Sequence, residues 1–465
     1  MSKRKPPPAA GPSATGQPPP VAKRISLDQA LDYGLRLHRE GRLGDAEAVY
    51  RQILAAVPEQ PDALHFLGVL CHQSGRSEEA LKCIAQALAA RPEYADAHNN
   101  LGNVLKELGR LEEAAEAYRR TTAIQPTHAD AHSNLGVVLR GLGRLEEAEM
   151  AYRMAIEQQP EHVEAQYNLG NLLKASGRLA EAASAYRAAI AVQPGHSDAH
   201  RNLLAALERA GRSEEIAAVF EQWLRHDPDN PIARHMLAAH TGEDVPDRAA
   251  DGYVQAVFDG LAGEFEAHLQ AIGYRAPALL ATAIGQLLPT PQATLEVLDA
   301  GCGTGLCGPL LRPYARRLAG VDLSPRMLAH ARSRGVYDAL IEAELGAFLA
   351  GAETAFDLIV AADTLVYFGR LDWVLQAAAR ALHHGGWLAF TVERAGADEA
   401  TAGFRLNPHG RYSHSEPYLV ACLREAGLVP VTLEVAILRH ELGEPVTGIV
   451  AVAQKAASSR TAHSG

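Results

Sequence analysis

The sequence predicts two architectures in one chain: an all-α solenoid of helical repeats, then an α/β domain with a mainly parallel seven-stranded sheet. Three observations carry this. Residues 27–230 repeat themselves every 34 residues. Residues 251–455 alternate helical stretches with short β-rich runs, the order expected of a parallel sheet. At 299–305 a glycine-rich turn joins the first of those runs to a helix. The 465 residues are 47% hydrophobic and 21% charged, ordinary for globular material and enough for more than one core.

Residues 1–26 come first. They are rich in Pro, Ala and Gly and include Pro6-Pro7-Pro8 and Pro18-Pro19-Pro20, a composition that cannot bury a core and reads as a disordered tail. Lys3, Arg4, Lys5, Lys23 and Arg24 give the tail five positive charges, so the remainder carries -16 of a total of -11. An acidic body is a poor match to phosphate backbones, which argues against nucleic acid as a partner. No apolar run is long enough to cross a membrane, and no secretory h-region is seen. The five cysteines lack any Cys-x-x-Cys pair, which fits a reducing, cytoplasmic setting and argues against a metal site.

In the repeats, prolines fall at 58, 92, 126, 160, 194 and 228, and Gly-Arg pairs at 41, 75, 109, 143, 177 and 211. Ala46, Ala80, Ala114, Ala148 and Ala182 keep the same phase, as do Tyr50, Tyr118, Tyr152, Tyr186 and Phe220. Each unit then has two helices. Glycine ends the first with a positive φ, alanine lets the second approach closely, the aromatic fills the gap, and proline stops the second helix. A single unit cannot bury its apolar face, so stacking is required. The pattern resembles the tetratricopeptide repeat, in six copies. That resemblance implies a binding scaffold rather than a catalyst.

Asn100, Asn134, Asn168 and Asn202 share one repeat offset, which Asp32 and Phe66 occupy in the first two copies. In proteins similar to the O-GlcNAc transferase superhelix, asparagines here line the concave face and hold an extended peptide by its backbone. An amide both donates and accepts, so the ladder is a candidate peptide-binding surface. Bonding within the solenoid is the competing explanation. His98, His132 and His200 share another offset and are expected to pack rather than to bind metal.

Residues 231–250 read as a capping helix and linker; Gly242–Asp251 holds Pro246 and four acids. The β-rich runs follow at Leu295–Asp299, Arg317–Asp322, Ala339–Ala343, Phe356–Ala361, Gly386–Val392, Val429–Leu438 and Gly448–Ala453. The last two, joined near Gly443-Glu444-Pro445, read as an antiparallel pair at one edge. Residues 456–465 read as a second disordered tail.

In Asp299-Ala300-Gly301-Cys302-Gly303-Thr304-Gly305, glycines remove side chains where a ligand must approach the backbone. Asp322, at the end of the next strand, suits a ribose diol. Asp299 beside the turn would repel a pyrophosphate but attract the cationic amino-acid end of S-adenosylmethionine. With Gly320-Val321-Asp322-Leu323-Ser324 these residues resemble the first two motifs of the class I S-adenosylmethionine-dependent methyltransferases, a Rossmann-like family, over 251–455. The resemblance implies donor-binding roles for Asp299, Gly301, Cys302, Gly303, Gly305, Asp322, Leu323, Met327, Glu344 and Leu345. It also implies that the helical stretch Tyr253–Leu269 closes over the donor, although packing on the sheet explains the same spacing. Val366-Tyr367-Phe368 departs from the Glu-His of many relatives, and there is no Asn-Pro-Pro-Tyr motif.

Methyl transfer from a sulfonium is an in-line displacement that mainly needs positioning. If a base is used, Asp363 after the fourth run and His414 after the fifth are the candidates. The reading is therefore a methyltransferase whose solenoid recruits a peptide or protein partner. The acceptor stays open between protein, lipid precursor, glycan precursor and small metabolite. The alternative is a non-enzymatic scaffold with a degenerate or cofactor-sensing methyltransferase-like domain. A nicotinamide oxidoreductase is disfavoured by Asp299.

Overall fold

The computed structural model describes residues 25–288, 290–396, 402–441 and 443–456. The expected tails, 1–26 and 456–465, lie outside these apart from Ile25, Ser26 and Ala456. The chain divides into two compact units, 1–206 and 207–465.

The first unit is helical throughout. Helices of 13 and 14 residues alternate: α1 Leu27–Arg39, α2 Leu43–Ala56, α3 Pro61–Gln73, α4 Ser77–Ala90, α5 Ala95–Glu107, α6 Leu111–Ile124, α7 Ala129–Gly141, α8 Leu145–Gln158, α9 Val163–Ala175 and α10 Leu179–Val192. α11, Ser197–Arg209, crosses the division. The glycine of each Gly-Arg pair has φ between 68° and 75°, as the left-handed end of a helix requires. The following arginine pairs with the acid three residues on; Arg110–Glu113 and Arg144–Glu147 both close at 2.6 Å. These pairs are exposed, so each contributes at most about 1 kcal/mol.

Packing of the buried faces stabilises the array more than these pairs do. Ala46, Ala80, Ala114, Ala148 and Ala182 are fully buried, as are Tyr50, Tyr118, Tyr152 and Tyr186. A Cβ on Gly102, Gly136 or Gly170 would stand 2.6 Å from the ring of Tyr118, Tyr152 or Tyr186 respectively. The shared histidine offset has a local cause: Nε2 of His98, His132 and His200 donates at 2.9 Å to the carbonyl of Pro92, Pro126 and Pro194. The imidazole ties the inter-repeat turn to the helix that follows it.

The second unit begins with the rest of the helical array, α12 Ile216–His226 and α13 Pro231–Thr241. Helices α14 Asp251–Leu261, α15 Phe265–Ala271 and α16 Ala276–Leu287 lead into the sheet. Its strands are β1 Leu295–Ala300, β2 Ala315–Asp322, β3 Ala339–Glu342, β4 Phe356–Ala361, β5 Leu382–Arg394, β6 Phe404–Leu406, β7 Tyr412–His414, β8 Leu428–Glu441 and β9 Glu444–Lys455. The order β3-β2-β1-β4-β5 is parallel throughout. β9 joins β5 antiparallel, and β8 joins β9 antiparallel. The seven expected runs are all strands. Two short strands, β6 and β7, go beyond them: this hairpin adds to the end of β5 through Glu393 and Arg394. Three-residue strands carry too little pattern to be read from sequence.

Between the strands lie α17 Gly308–Leu311, α18 Pro325–Ser333, α19 Leu345–Ala350, α20 Asp372–Ala381 and α21 Glu416–Glu425. One core packs α19, α20 and α21 against the sheet around Ile359, Leu388 and Phe390. The other packs α16 against it around Val297, Leu358 and Val450. Both faces being covered, the parallel strands are nearly continuous apolar runs.

The segment between α13 and α14 is docked. Gly369 and Arg370 donate backbone N–H to Asp247 O, Ala249 N–H donates to Tyr367 O, and Tyr412 Oη donates to Pro246 O at 2.7 Å. α13 itself packs Ala238 and Ala239 against Leu406 and Tyr412. No helix among the described residues is long and apolar enough to cross a membrane.

Candidate functional site

A cavity opens at the carboxy ends of the parallel strands. Asp299 is the penultimate residue of β1, Asp322 ends β2, Glu344 follows β3, and Asp363 follows β4; all four line it. Strand direction alone collects these residues, which are far apart in the chain, at one edge of the sheet.

The turn after β1 runs through Gly301, Gly303 and Gly305 at φ 71°, 54° and 84°. A Cβ on Gly301 would collide with Thr364, whose Oγ1 donates at 2.8 Å to Ala300 O and closes the turn against β4. A Cβ on Gly303 would meet nothing closer than Phe265 at 4.0 Å, so the backbone there fronts open space. Asp322 secures the turn. Its Oδ2 accepts from Gly303 N–H at 2.8 Å and its Oδ1 from Ser324 N–H at 2.9 Å. Each oxygen keeps a lone pair for a ligand.

Asp299 is 1% exposed, and its Oδ2 accepts from Tyr337 Oη at 2.6 Å. Burial raises its pKa to about 7, the tyrosine bond opposes the rise, and the Asp322 charge adds to it. Burial likewise raises Asp322, against the backbone N–H groups that hold it down. Two carboxylates driven upward beside an open glycine turn are poised for cationic or hydroxyl groups. Cys302 and Cys307 also line the cavity; burial holds both thiols far above their ordinary range.

Of the expected donor-site residues, Asp299, Gly301, Cys302, Gly303, Asp322, Leu323, Glu344 and Leu345 line the cavity. Met327 and Gly305 do not. Met327 is completely buried in α18, and Gly305 backs onto Tyr337 and Arg334, so both shape the site from behind. Glu344 caps α19: its two oxygens accept from Gly346 and Ala347 N–H at 2.9 and 2.6 Å. Phe258, Leu261, Phe265 and Leu269 of the α14–α15 region form an apolar wall. Their helical spacing therefore serves the cavity, while Tyr253 turns away to stack on His235 at 3.9 Å.

The two candidate bases separate. His414 is fully buried outside the cavity lining, and its Nε2 lies 2.9 Å from Phe368 O and 3.1 Å from Gly369 O. Burial lowers its pKa to about 4, leaving a neutral imidazole bound to backbone. The expectation of a base at His414 is corrected accordingly. Asp363 does line the cavity, with φ 51° and both oxygens engaged: Oδ1 accepts from Thr391 Oγ1 and Oδ2 from Arg439 Nη1, at 2.8 and 2.7 Å.

That second contact belongs to an ion cluster that no sequence motif announces. Arg439, 2% exposed, bonds Asp363, Glu393 and Glu441; Arg411 bonds Glu393 and Glu441. Against its burial, His409, at 3.3 Å, and then Arg439 and Arg411 hold the Glu393 carboxyl down at about 2. Arg411, Arg439 and Tyr367 face the cavity. The residues come from the segment after β4, from β5 and β8, and from the β6–β7 hairpin, too scattered along the chain for spacing to join them.

In the solenoid, the asparagine ladder is half-buried and partly engaged. Asn100 Nδ2 meets His65 Nε2 at 2.8 Å, Lys106 Nζ donates to Asn134 Oδ1 at 3.3 Å, and Lys174 Nζ donates to Asn202 Oδ1 at 2.6 Å.

A family model described as a methyltransferase domain matches residues 298–390. Tetratricopeptide-repeat models match 31–82, 73–129 and 167–231, and 127–195. Human Methyltransferase-like protein 27 is 36% identical over 136 residues, 29% of this chain and 53% of that protein. A malonyl-[acyl-carrier protein] O-methyltransferase of Enterobacter lignolyticus is 34% identical over 140 residues, 30% of this chain and 53% of that one. The chain thus spans about half the length of these relatives. Among solved structures, Pseudomonas aeruginosa PilF covers 45% of this chain and 96% of its own at 19% identity and a TM-score of 0.40. YrrB, described as a TPR protein with an unusual peptide-binding site, covers 40% and 96% at 24% identity and a TM-score of 0.34. The chain carries tetratricopeptide repeats in its N-terminal region and, in its C-terminal region, a methyltransferase domain.

Proposed function

We propose that the chain is an S-adenosylmethionine-dependent methyltransferase whose repeats recruit a peptide or protein partner. The observation that carries the donor assignment is the pair of acids, Asp299 buried and Asp322 half-buried, on either side of the open backbone at Gly303. Asp322 would take the ribose diol on its two remaining lone pairs, and Asp299 the ammonium of the amino-acid end. Leu345 and Glu344 would border the adenine, with the Phe258 and Phe265 rings excluding water.

When bound, the donor supplies a methyl group already activated on a sulfonium. This chain's residues then have to orient the acceptor and keep the cavity dry. Asp363 takes part by fixing Arg439 through Oδ2 and Thr391 through Oδ1. The repeats contribute no chemical group of this kind. Their half-exposed amides at 100, 134, 168 and 202 offer paired donors and acceptors to an extended chain, in exchange for the contacts they now make.

Calorimetry of the full chain with S-adenosylmethionine is the test. One site is expected, and Asp322→Ala should abolish the heat, because the turn at Gly303 loses its anchor together with the diol ligand. Undiminished binding in that variant refutes the assignment.

A further inference from the structure

We propose that the methyl acceptor is a carboxylic acid with an apolar body, gripped through its carboxylate by Arg411 and Tyr367, so that the product is a methyl ester. This rests on the donor-site reading above and deepens it. The cavity has two unlike linings, which meet where the Phe258 and Tyr367 rings pack edge to face 5.5 Å apart. Phe258, Leu261, Phe265 and Leu269 make an apolar wall, while Tyr274, Tyr367, Asp363, Arg411 and Arg439 make a polar floor. The floor is where the chemistry of the acceptor is set.

Arg411 keeps 23% of its side chain exposed and is held from behind. Its Nε donates to Glu393 at 2.9 Å, and its Nη2 pairs with Glu441. Neither glutamate lines the cavity. The acids therefore offset the burial of the guanidinium and fix its plane, with the Tyr367 hydroxyl as its neighbour on the cavity side. Arg439 is locked beside it by Asp363, Glu393 and Glu441. A fixed guanidinium with a phenol next to it matches a carboxylate, which accepts from both. The cluster has three acids to two arginines, so directed donors rather than surplus charge select the anion. The sulfonium being attacked is the neighbouring cation.

The state of the bases agrees with this. An alcohol or ammonium acceptor has a proton to lose; His414 lies outside the cavity and Asp363 is paired with Arg439, which leaves His268, next to Leu269 on the apolar wall, as the lining imidazole. A carboxylate arrives ionised near neutral pH and needs no base at the polar floor. One of its oxygens forms the bond to the methyl carbon as the methyl–sulfur bond breaks. The bonding pair stays on sulfur, no proton moves, and an ester and a neutral thioether leave.

The test uses the full chain with S-adenosylhomocysteine present, titrated in a calorimeter with octanoate, 1-octanol and octylamine. Octanoate should bind at least about tenfold more tightly than the other two, the loss of a charge-assisted hydrogen bond being worth that much. Arg411→Met should weaken octanoate at least about tenfold and Tyr367→Phe several-fold, with S-adenosylhomocysteine affinity retained in both. With labelled S-adenosylmethionine and octanoate, alkali should release the label as methanol. Equal or tighter binding of the alcohol or amine overturns the proposal. So does octanoate affinity untouched by both substitutions, or label that survives alkali. Absence of any heat with S-adenosylhomocysteine in the unaltered chain overturns the donor reading instead, and this one with it.

Discussion

Asp299 lies buried 2.6 Å from the Tyr337 hydroxyl, and burial raises its pKa to about 7, so that a charged ligand shifts its ionisation near neutral pH. The unfolded chain would ionise it near the ordinary carboxylate value of 3.8. Between those values the folded state binds the extra proton, so raising the pH through that window removes stability from the unliganded protein. A donor carrying an ammonium reverses the preference, because it binds the ionised form. Two trends are expected: the melting temperature of the free protein falls from pH 5 to pH 8, and donor affinity rises over pH 6 to 8. Asp299→Asn should flatten the second trend; a pH-independent affinity in the unaltered protein would count against the ammonium assignment. Asp299 and Asp322 are legible because both lie in local motifs, one before a glycine turn and one ending a strand. Tyr337 and Arg439 are not. Each acts through a contact made 38 and 76 residues away, on Asp299 and Asp363 respectively, and sequence spacing carries no trace of either.

Elements show how far periodicity reaches. The 34-residue repeat locates the helices of the array because every unit solves one packing problem in the same way, in most copies with a glycine–tyrosine pair. Gly136 sits inside α7, where alanine should gain about 1 kcal/mol of helix propensity. Its added methyl, however, would stand 2.6–2.9 Å from three ring atoms of the fully buried Tyr152. Overpacking of that kind costs about 1–3 kcal/mol, and with the ring unable to retreat the penalty wins. Gly136→Ala should therefore lower the melting temperature. Gly44→Ala is the control: it lies in α2 with nothing within 4 Å of the new methyl, and should raise stability by about 0.5 kcal/mol. Equal effects at the two positions, read from denaturant midpoints, would show that the close approach is not what fixes glycine. The β6–β7 hairpin marks the limit of such reading. Its strands are too short to show alternation, and its value lies in where it carries Arg411.

At the scale of the whole molecule, the sequence places the junction where composition changes, in the acidic, proline-containing stretch up to 251. The structure divides the chain between 206 and 207. Composition reports turns, and a turn-rich segment can still be packed. Here the Asp247 and Pro246 carbonyls accept hydrogen bonds from Gly369, Arg370 and Tyr412, Ala249 donates one in return, and α13 adds an apolar face of Ala238 and Ala239. His235, 4% exposed, donates from Nε2 to Gly410 O at 2.9 Å, one residue before Arg411. Gly410 has φ 84°, and a Cβ there would strike Tyr253, so this turn has one permitted course and α13 helps to set it. A fragment of residues 207–465 should therefore fold cooperatively and bind S-adenosylmethionine. A fragment of 251–465 strips α12 and α13, leaves the Gly410 carbonyl without His235 and uncovers Leu406 and Tyr412. Losing a buried hydrogen bond together with that apolar contact amounts to several kcal/mol, on the order of the whole stability of a domain. Circular dichroism melts of the two fragments decide it: matching transitions would mean that α13 merely ends the repeats, whereas a lower or absent transition in the shorter fragment makes α13 part of the folding unit of the methyltransferase domain.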